Sequence, residues 1–315
     1  MLGVAALLLS SCGSVPITGR KQLNLVSDSE VLQASLTQYA SYMKSATISG
    51  EKTQREQVTR VGRKIAAATE TYLNSHGLSS EVKNFAWEFN LVKNDEINAF
   101  CMPGGKIVVY EGLMKLVKSD AELAVVLGHE VAHAVAKHSN ERMSQQMLAQ
   151  YGAAAVGIFT QGKSQATQAI ANQVYGLGAN YGVMLPYSRK HESEADKMGL
   201  VLMALAGYDP AVALNFWQKM ATSGSAKVPE IMSDHPSDSK RIAAIQKELP
   251  GIQQEYASYI TAGKASGSKA STTTKKTTTT KRKKQGNNIP HFSQYSKRCC
   301  IFNDAAPFFR PVKTH

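Results

Sequence analysis

Cysteine is scarce in this chain and is never spaced for metal binding. The 315 residues contain four cysteines, and no two of them form a CxxC arrangement. Cys299 and Cys300 are adjacent, which is too close to bracket an ion with a normal loop. The cysteine pattern therefore excludes a zinc finger, and Cys101 is expected to be a small residue of a strand.

Long apolar runs are also missing. The segments Leu2 to Leu9 and Met147 to Phe159 are both shorter than the roughly 20 residues of a membrane-spanning helix. We interpret the Ala/Gly-rich segment Met147 to Phe159 as part of the core. No internal repeat is apparent, and the hydrophobic content of 43% indicates one main globular domain.

Acidic residues are almost absent from the C-terminal part of the chain. Residues 261–315 contain 12 Lys or Arg and one acid, so they carry +11 of the net charge of +12. The Thr/Lys/Ser-rich composition cannot build a packed core, so we predict a disordered tail over residues 256–315. Because the rest of the chain is close to neutral, the charge does not indicate a specific nucleic-acid partner.

The motif His129-Glu130-Val131-Ala132-His133 lies in a segment with a helical pattern. Ser119 and Glu122 form a capping-box signature ahead of it. Residues four apart differ by about 40° around a helix, so His129 and His133 project toward one ion. Glu130 is turned by about 100° from His129, which places it beside whatever the metal binds. This spacing is typical of a zinc hydrolase, with Glu130 as the general base.

Catalytic zinc usually takes three protein ligands and a water, so a third ligand is needed. His138 lies about 140° round the helix from His133 and is expected to face away. Ala136 and Ser139 occupy the places where a metzincin would have its glycine and third histidine. A carboxylate from a second helix remains.

An acidic segment further along supplies that carboxylate. Glu192 and Asp196 are four apart and share a helix face, whereas Glu194 is turned by about 200° from Glu192. We predict Glu192 as the ligand and Asp196 as an acceptor that orients a ligating imidazole. The alternative is that these acids form the solvated face of a helix.

A small sheet is predicted ahead of the metal helix. The residues at alternate positions of one half-buried strand are apolar, and a Gly-Gly pair separates two further extended pieces. These are Phe85, Trp87, Phe89 and Leu91, then Ala99 to Met102 and Lys106 to Tyr110 around Gly104-Gly105. The fold class expected is α+β and mainly helical, with a small sheet or hairpin beside the metal helix.

Five motifs follow one another in a set order within roughly residues 25 to 250. They are Asn98-Ala99-Phe100, Pro103-Gly104-Gly105, HEVAH, Ser188-Arg189 through Glu192 to Asp196, and His235-Pro236 with Arg241-Ile242. This order resembles the zinc metalloprotease family that includes HtpX, the CAAX prenyl protease, the mitochondrial Oma protease and the periplasmic proteases BepA and LoiP. The resemblance implies a zincin-like protease fold and one Zn²⁺ per chain.

The resemblance also implies roles for individual residues. Glu192 falls on the family's third zinc ligand. His235 falls on a histidine close to the metal, which either steadies the oxyanion or caps the zinc in a resting state, and Arg241 on its accompanying arginine. Without the resemblance, Asp234-His235-Pro236 is more typical of a turn before a helix, with His235 a partly exposed loop histidine.

In such proteases, an edge strand pairs with an extended substrate through main-chain hydrogen bonds. The resemblance places this strand at Asn98, Ala99 and Phe100; the alternative is a purely structural hairpin. The function expected is a zinc metalloendopeptidase acting on unfolded or damaged envelope proteins, outer-membrane proteins included. The alternative is a chaperone-like assembly factor that binds extended segments on the same edge.

The N-terminal residues resemble a bacterial lipoprotein signal. Leu9-Ser10-Ser11-Cys12 spells a lipobox, which predicts cleavage before Cys12 and a lipid on its thiol. The alternative is a hydrophobic fragment with an incidental cysteine. The expected organisation is a signal segment over 1–11, a protease domain over 12–255 and the tail over 256–315, anchored to a bacterial outer membrane and facing the periplasm.

Overall fold

The structure is a computed structural model that describes residues 12–165, 167–169, 171–172, 185–222 and 239–272. Its strands are β1 (Cys12–Ser14), β2 (Lys21–Leu23), β3 (Glu88–Val92), β4 (Ala99–Met102) and β5 (Lys106–Tyr110). Its helices are α1 (Asp28–Ser45), α2 (Lys52–Ser75), α3 (Ser79–Val82), α4 (Glu111–Met114), α5 (Asp120–Val135), α6 (His138–Phe159), α7 (Leu185–Leu205), α8 (Val212–Thr222), α9 (Ser239–Glu255) and α10 (Ala257–Thr272). The expected class, α+β and mainly helical, is confirmed.

Helix α5 carries the HEVAH motif through the centre of the protein. It begins where predicted, because the Ser119 side chain accepts a hydrogen bond from the Glu122 backbone N–H. The Glu122 carboxylate accepts from the Lys118 N–H instead of closing the capping box. α5 packs against α2, α7 and β4 and is buried almost all round, as expected for a helix that is apolar on every side.

The predicted hairpin ahead of α5 is confirmed. β4 pairs antiparallel with β5 around Gly104 and Gly105, whose φ angles of 93° and 77° favour glycine. β3 pairs parallel with the other side of β5, so the strand order is β3-β5-β4. β4 is therefore an outer strand of this sheet, and it is the strand that packs beside α5.

Two glycines allow α5 and α7 to approach each other through their backbones. A Cβ placed on Gly128 would lie 2.8 Å from the carbonyl oxygen of Gly199, and a Cβ on Gly199 would lie 2.9 Å from the backbone nitrogen of His129. Such distances are too short for a side-chain carbon. The absence of both Cβ atoms therefore sets the spacing of the two helices that carry the predicted ligands.

Helix α10 covers residues that were expected to belong to the disordered tail. Ile260 is buried in the main core, and Gly263 packs directly against Gly207 at the end of α7. The compact unit accordingly extends to Thr272. The predicted signal segment and residues 273–315 lie outside the described residues.

The expectation that Met147 to Phe159 forms part of the core is wrong. Tyr151, Ile158 and Phe159 in the C-terminal half of α6 are exposed. The buried residues of α6 are polar and lie in its first turns, where the helix docks on the rest of the protein. None of the helices within the described ranges is long and apolar enough to cross a membrane.

We expect Gly128→Ala and Gly199→Ala each to destabilise the protein by about 1–3 kcal/mol, because the added methyl group overpacks two backbones. Neither backbone can move aside as a flexible side chain would. Gly157→Ala is the matched control, since Gly157 lies on exposed helix α6 and no neighbouring atom comes within 4 Å of the place a Cβ would occupy. It should be neutral or stabilising by up to about 1 kcal/mol. Urea unfolding of the three variants tests this, and equal stabilities would contradict the packing role.

Candidate metal site

The ligand atoms expected from sequence meet in a triangle. The Nε2 atoms of His129 and His133 are 3.1 Å apart. The Glu192 oxygens lie 3.3 Å from His129 Nε2 and 3.5 Å from His133 Nε2. Tetrahedral zinc with bonds of about 2.0–2.1 Å requires ligand atoms roughly 3.3 Å apart. The two imidazoles and the carboxylate therefore fit a zinc ion without rearrangement.

The charge around the triangle favours a cation. Burial lowers the pKa of His129, but hydrogen bonds to Asp196 and Glu192 outweigh burial and raise it to about 9. The same carboxylates that favour a proton on His129 favour a divalent ion in its place. The residues thus fit zinc in charge as well as in spacing.

Asp196 and Arg241 lie behind the first histidine. Asp196 Oδ1 is 3.0 Å from His129 Nδ1, which orients the ring so that Nε2 points into the triangle. Arg241 donates to Asp196 from Nε at 2.7 Å and from Nη2 at 2.8 Å, and its Nη1 lies 3.4 Å from Glu192. Its guanidinium also lies 5.2 Å from the centre of the Trp217 ring. From α9, Arg241 thus holds Asp196, the partner of His129, and lies beside the predicted ligand Glu192.

Glu130 is buried and directly follows the predicted ligand His129 on α5. Desolvation raises the pKa of the Cys101 thiol well above its ordinary value, and the charge of Glu130 adds to this effect. Because Cys101 is a β4 residue, the general base predicted from sequence lies close to the outer strand predicted to bind substrate.

The substrate-binding residues predicted from sequence face the protein. Asn98 and Ala99 are buried, and the Asn98 side chain accepts a hydrogen bond from the Ala99 N–H at 2.8 Å. Phe100 packs edge-to-face against Tyr42 and Tyr110. Any contact with an extended substrate at this strand therefore involves the backbone of β4 rather than these side chains.

A cleft opens beside His133. The His133 side chain is 14% exposed, whereas those of His129 and Glu192 are 2% exposed, so His133 is the most accessible of the three predicted ligands. The cleft is lined mainly by apolar side chains, including Val31, Leu32 and Phe85, with the ion pair of Lys137 and Asp28 among them.

Two residues that were expected to face away from the site support the second histidine. His138 does not face away: its Nδ1 lies 2.9 Å from His133 Nδ1. The expectation is wrong because the helical angle holds only within one continuous helix. α5 ends at Val135, and Lys137 adopts a left-handed conformation with φ 56°, which turns His138 back toward the site. Glu194 accepts from His138 Nε2 at 3.1 Å instead of facing solvent.

Charged and polar side chains join Glu194 in a hydrogen-bonded group beside His138. The other members of this group are Arg20, Glu141 and His191. Burial raises the pKa of both glutamates, but hydrogen bonds to Arg20 and to the neighbouring histidines lower it to about 2 in each case. Burial lowers the pKa of His138 to about 4. No local spacing signals this group, since Arg20 and Glu194 are 174 residues apart.

His235 lies outside the described residues, so its role stays a prediction. The backbone of Cys12 belongs to β1 and pairs with Leu23.

Comparison with known proteins gives the chain a family. Residues 53–249 match peptidase family M48. The mitochondrial metalloendopeptidase OMA1 of Schizosaccharomyces pombe is 33% identical over 244 residues, which is 76% of this chain and 67% of that protein. OMA1 of Arabidopsis thaliana is 38% identical over 167 residues, 53% of this chain and 32% of that protein. The beta-barrel assembly-enhancing protease of Escherichia coli is 30% identical over 183 residues, 55% and 37% of the two chains.

These comparisons correct the expected location. The relatives from fungi, plants and animals are mitochondrial proteins by name, so the prediction of a bacterial outer-membrane lipoprotein is wrong. The lipobox spelling misled because a short apolar run that ends in cysteine carries little information by itself. The comparisons do not support the lipid predicted on Cys12.

The matched region contains the whole triangle together with Asp196 and Arg241. It covers more than half of the chain. The chain therefore belongs to peptidase family M48, a family of metallopeptidases.

Proposed function

We propose that this chain is a zinc-dependent endopeptidase that cleaves extended segments of unfolded or damaged proteins. The observation that carries the proposal is the triangle of His129, His133 and Glu192, whose ligand atoms already have the spacing of a tetrahedral zinc site. Because the chain spans about two thirds of the S. pombe relative and less of the others, the activity of those proteins is extended here only as a proposal.

His129 and His133 would hold the ion through Nε2, and Glu192 through its carboxylate. Zinc bound there would supply a Lewis acid for the scissile carbonyl and make a water acidic enough to attack near neutral pH. Glu130 accepts the proton of the attacking water and passes it to the leaving amine. Asp196 keeps the His129 ring in the tautomer whose Nε2 has a lone pair to offer.

Substrate binding is proposed at the exposed side of β4. An extended segment added to this outer strand pairs through main-chain hydrogen bonds, which tolerate many side chains. The apolar cleft beside His133 then receives one substrate side chain. His235 is proposed to act near the metal, on the family resemblance alone.

The names of the mitochondrial relatives support a mitochondrial location. Imaging a tagged full-length chain in its own cells tests this, and a signal confined to another compartment would refute it.

Glu130→Gln should retain zinc but reduce peptide hydrolysis by about 10²–10⁴-fold, because an amide cannot take the proton of the attacking water. The measurements are zinc content and the rate of casein cleavage by the full chain. Glu56→Gln is the control, since the Glu56 side chain is 62% exposed and its carboxylate is 3.9 Å from Lys52 on α2. Undiminished cleavage by Glu130→Gln would refute the assignment of the base.

Removing the metal separates the endopeptidase from a chaperone-like binder that uses the same strand. We expect 1,10-phenanthroline to abolish casein cleavage and added zinc to restore it. Zinc at 100 times its dissociation constant should also stabilise the folded chain by about 2.7 kcal/mol.

Aggregation of an unfolded client protein is the second readout. If the metal-free chain suppresses aggregation fully and the zinc-loaded chain cleaves nothing, the binder is the correct function.

A further inference from the structure

A chain of hydrogen bonds links His133 to the N-terminal segment, defined here as Val15–Leu23. His133 Nδ1 lies 2.9 Å from His138 Nδ1, and His138 Nε2 lies 3.1 Å from Glu194 Oε2. Arg20 Nε donates to the same oxygen of Glu194 at 2.8 Å. Three contacts thus connect a predicted zinc ligand on α5 to a residue more than 100 positions away.

The direction of these bonds follows from the groups involved. A carboxylate only accepts, so His138 donates to Glu194 from Nε2. A neutral His138 then offers Nδ1 as an acceptor, and His133 donates to it from its own Nδ1. This arrangement leaves the lone pair of His133 on Nε2, the atom that faces the triangle. These hydrogen bonds therefore select the tautomer of His133 that can ligate a metal.

Arg20 also fixes the ring face of His138. Its Nη1 and Nη2 donate to the two oxygens of Glu141 at 2.9 and 2.6 Å. Glu141 accepts from His191 Nε2 at 2.9 Å, and the His191 ring stacks on His138 with 4.2 Å between centroids. One guanidinium therefore joins the carboxylate at the edge of His138 to the carboxylate behind its stacking partner.

The N-terminal segment has an unusual backbone at this point. Ile17 has a φ of 67° and Gly19 a φ of 68°, while the Val15 N–H donates to the Arg20 carbonyl at 2.8 Å. A β-branched residue rarely adopts a positive φ, and such strain persists only where the surroundings impose it. The resulting tight turn directs both the Thr18 hydroxyl and Arg20 at Glu194.

We propose that Arg20 is a positioning residue of the metal site, which orients His133 through Glu194 and His138. Arg20 lies outside residues 53–249, so part of the support of the site comes from beyond the region matched to the family. The inference rests on the proposed function, because it assumes that His129, His133 and Glu192 bind zinc.

The test uses the full-length chain with Arg20→Lys and Arg20→Gln. Lysine keeps the charge but lacks the planar fork that serves both glutamates, so neither variant should retain the wild-type site. Removing an outer partner of a ligating histidine weakens metal binding, and we expect about tenfold weaker zinc binding here. Zinc affinity is measured by competition with a chromophoric chelator, and the visible absorption of the cobalt-loaded chain reports on ligand geometry.

Arg60→Gln is the matched control. Arg60 makes a two-point pair with Asp120 at the start of α5, at 2.9 and 2.7 Å, and does not contact His138 or the two glutamates. It should leave zinc affinity and the cobalt spectrum unchanged. A merely structural role for Arg20 would lower the thermal stability of the apo chain without changing either readout of the folded protein.

The outcomes are distinguishable. Folded Arg20 variants with wild-type zinc affinity and cobalt spectrum would overturn the proposal. If neither variant folds, His138→Phe decides, since a phenyl ring can neither accept from His133 nor donate to Glu194, while Arg20 stays paired with both glutamates. Weakened zinc binding by this variant supports the proposal, and unchanged binding refutes it. Failure of the unaltered chain to bind zinc would refute the proposed function instead.

Discussion

The backbone contact between Gly128 and Gly199 is the constraint on which the site depends. His129 directly follows one glycine, and Glu192 and Asp196 lie up to two turns before the other on the facing helix. A Glu side chain is too short to span the gap between two helices held apart by large residues. Because the helices touch through their backbones, Glu192 reaches both imidazoles and Asp196 reaches the far nitrogen of one of them.

Buried charge is balanced in two separate groups around this contact. His129 is hydrogen-bonded to Asp196, which accepts a hydrogen bond from Arg241 of α9. His133 is hydrogen-bonded to His138, and His138 to Glu194. Glu194 in turn accepts a hydrogen bond from Arg20 of the N-terminal segment. In each group the last member is an arginine from outside the two ligand-bearing helices. Buried carboxylates are costly unless they are paired, so the fold of the distant segments and the geometry of the ligands stabilise each other.

The predicted ligands combine tight support with partial exposure. Asp196 and Arg241 support His129, and His138, Glu194 and Arg20 support His133. The His133 ring is nevertheless partly exposed, a cleft opens beside it, and β4 is an outer strand of its sheet. The proposed pairing of an extended segment with β4 would use main-chain hydrogen bonds, which tolerate many side chains.

Local patterns in the sequence were enough to predict the helical class, the hairpin at Gly104-Gly105, the helix start at Ser119 and the grouping of His129, His133, Glu192 and Asp196. Each of these depends on residue spacing within one element, or on motifs that occur in the same order as in the zinc metalloprotease family. The support of His133 was not predictable in this way. It required the turn at Lys137, which breaks the helical spacing, and the meeting of Arg20 with Glu141 and Glu194 across the fold. Helical periodicity is local, so the candidate ligand atoms could be identified from the spacing of residues along the chain. The partners that orient those atoms become visible only in the folded protein, because hydrogen bonds between distant segments leave no periodic pattern in the sequence.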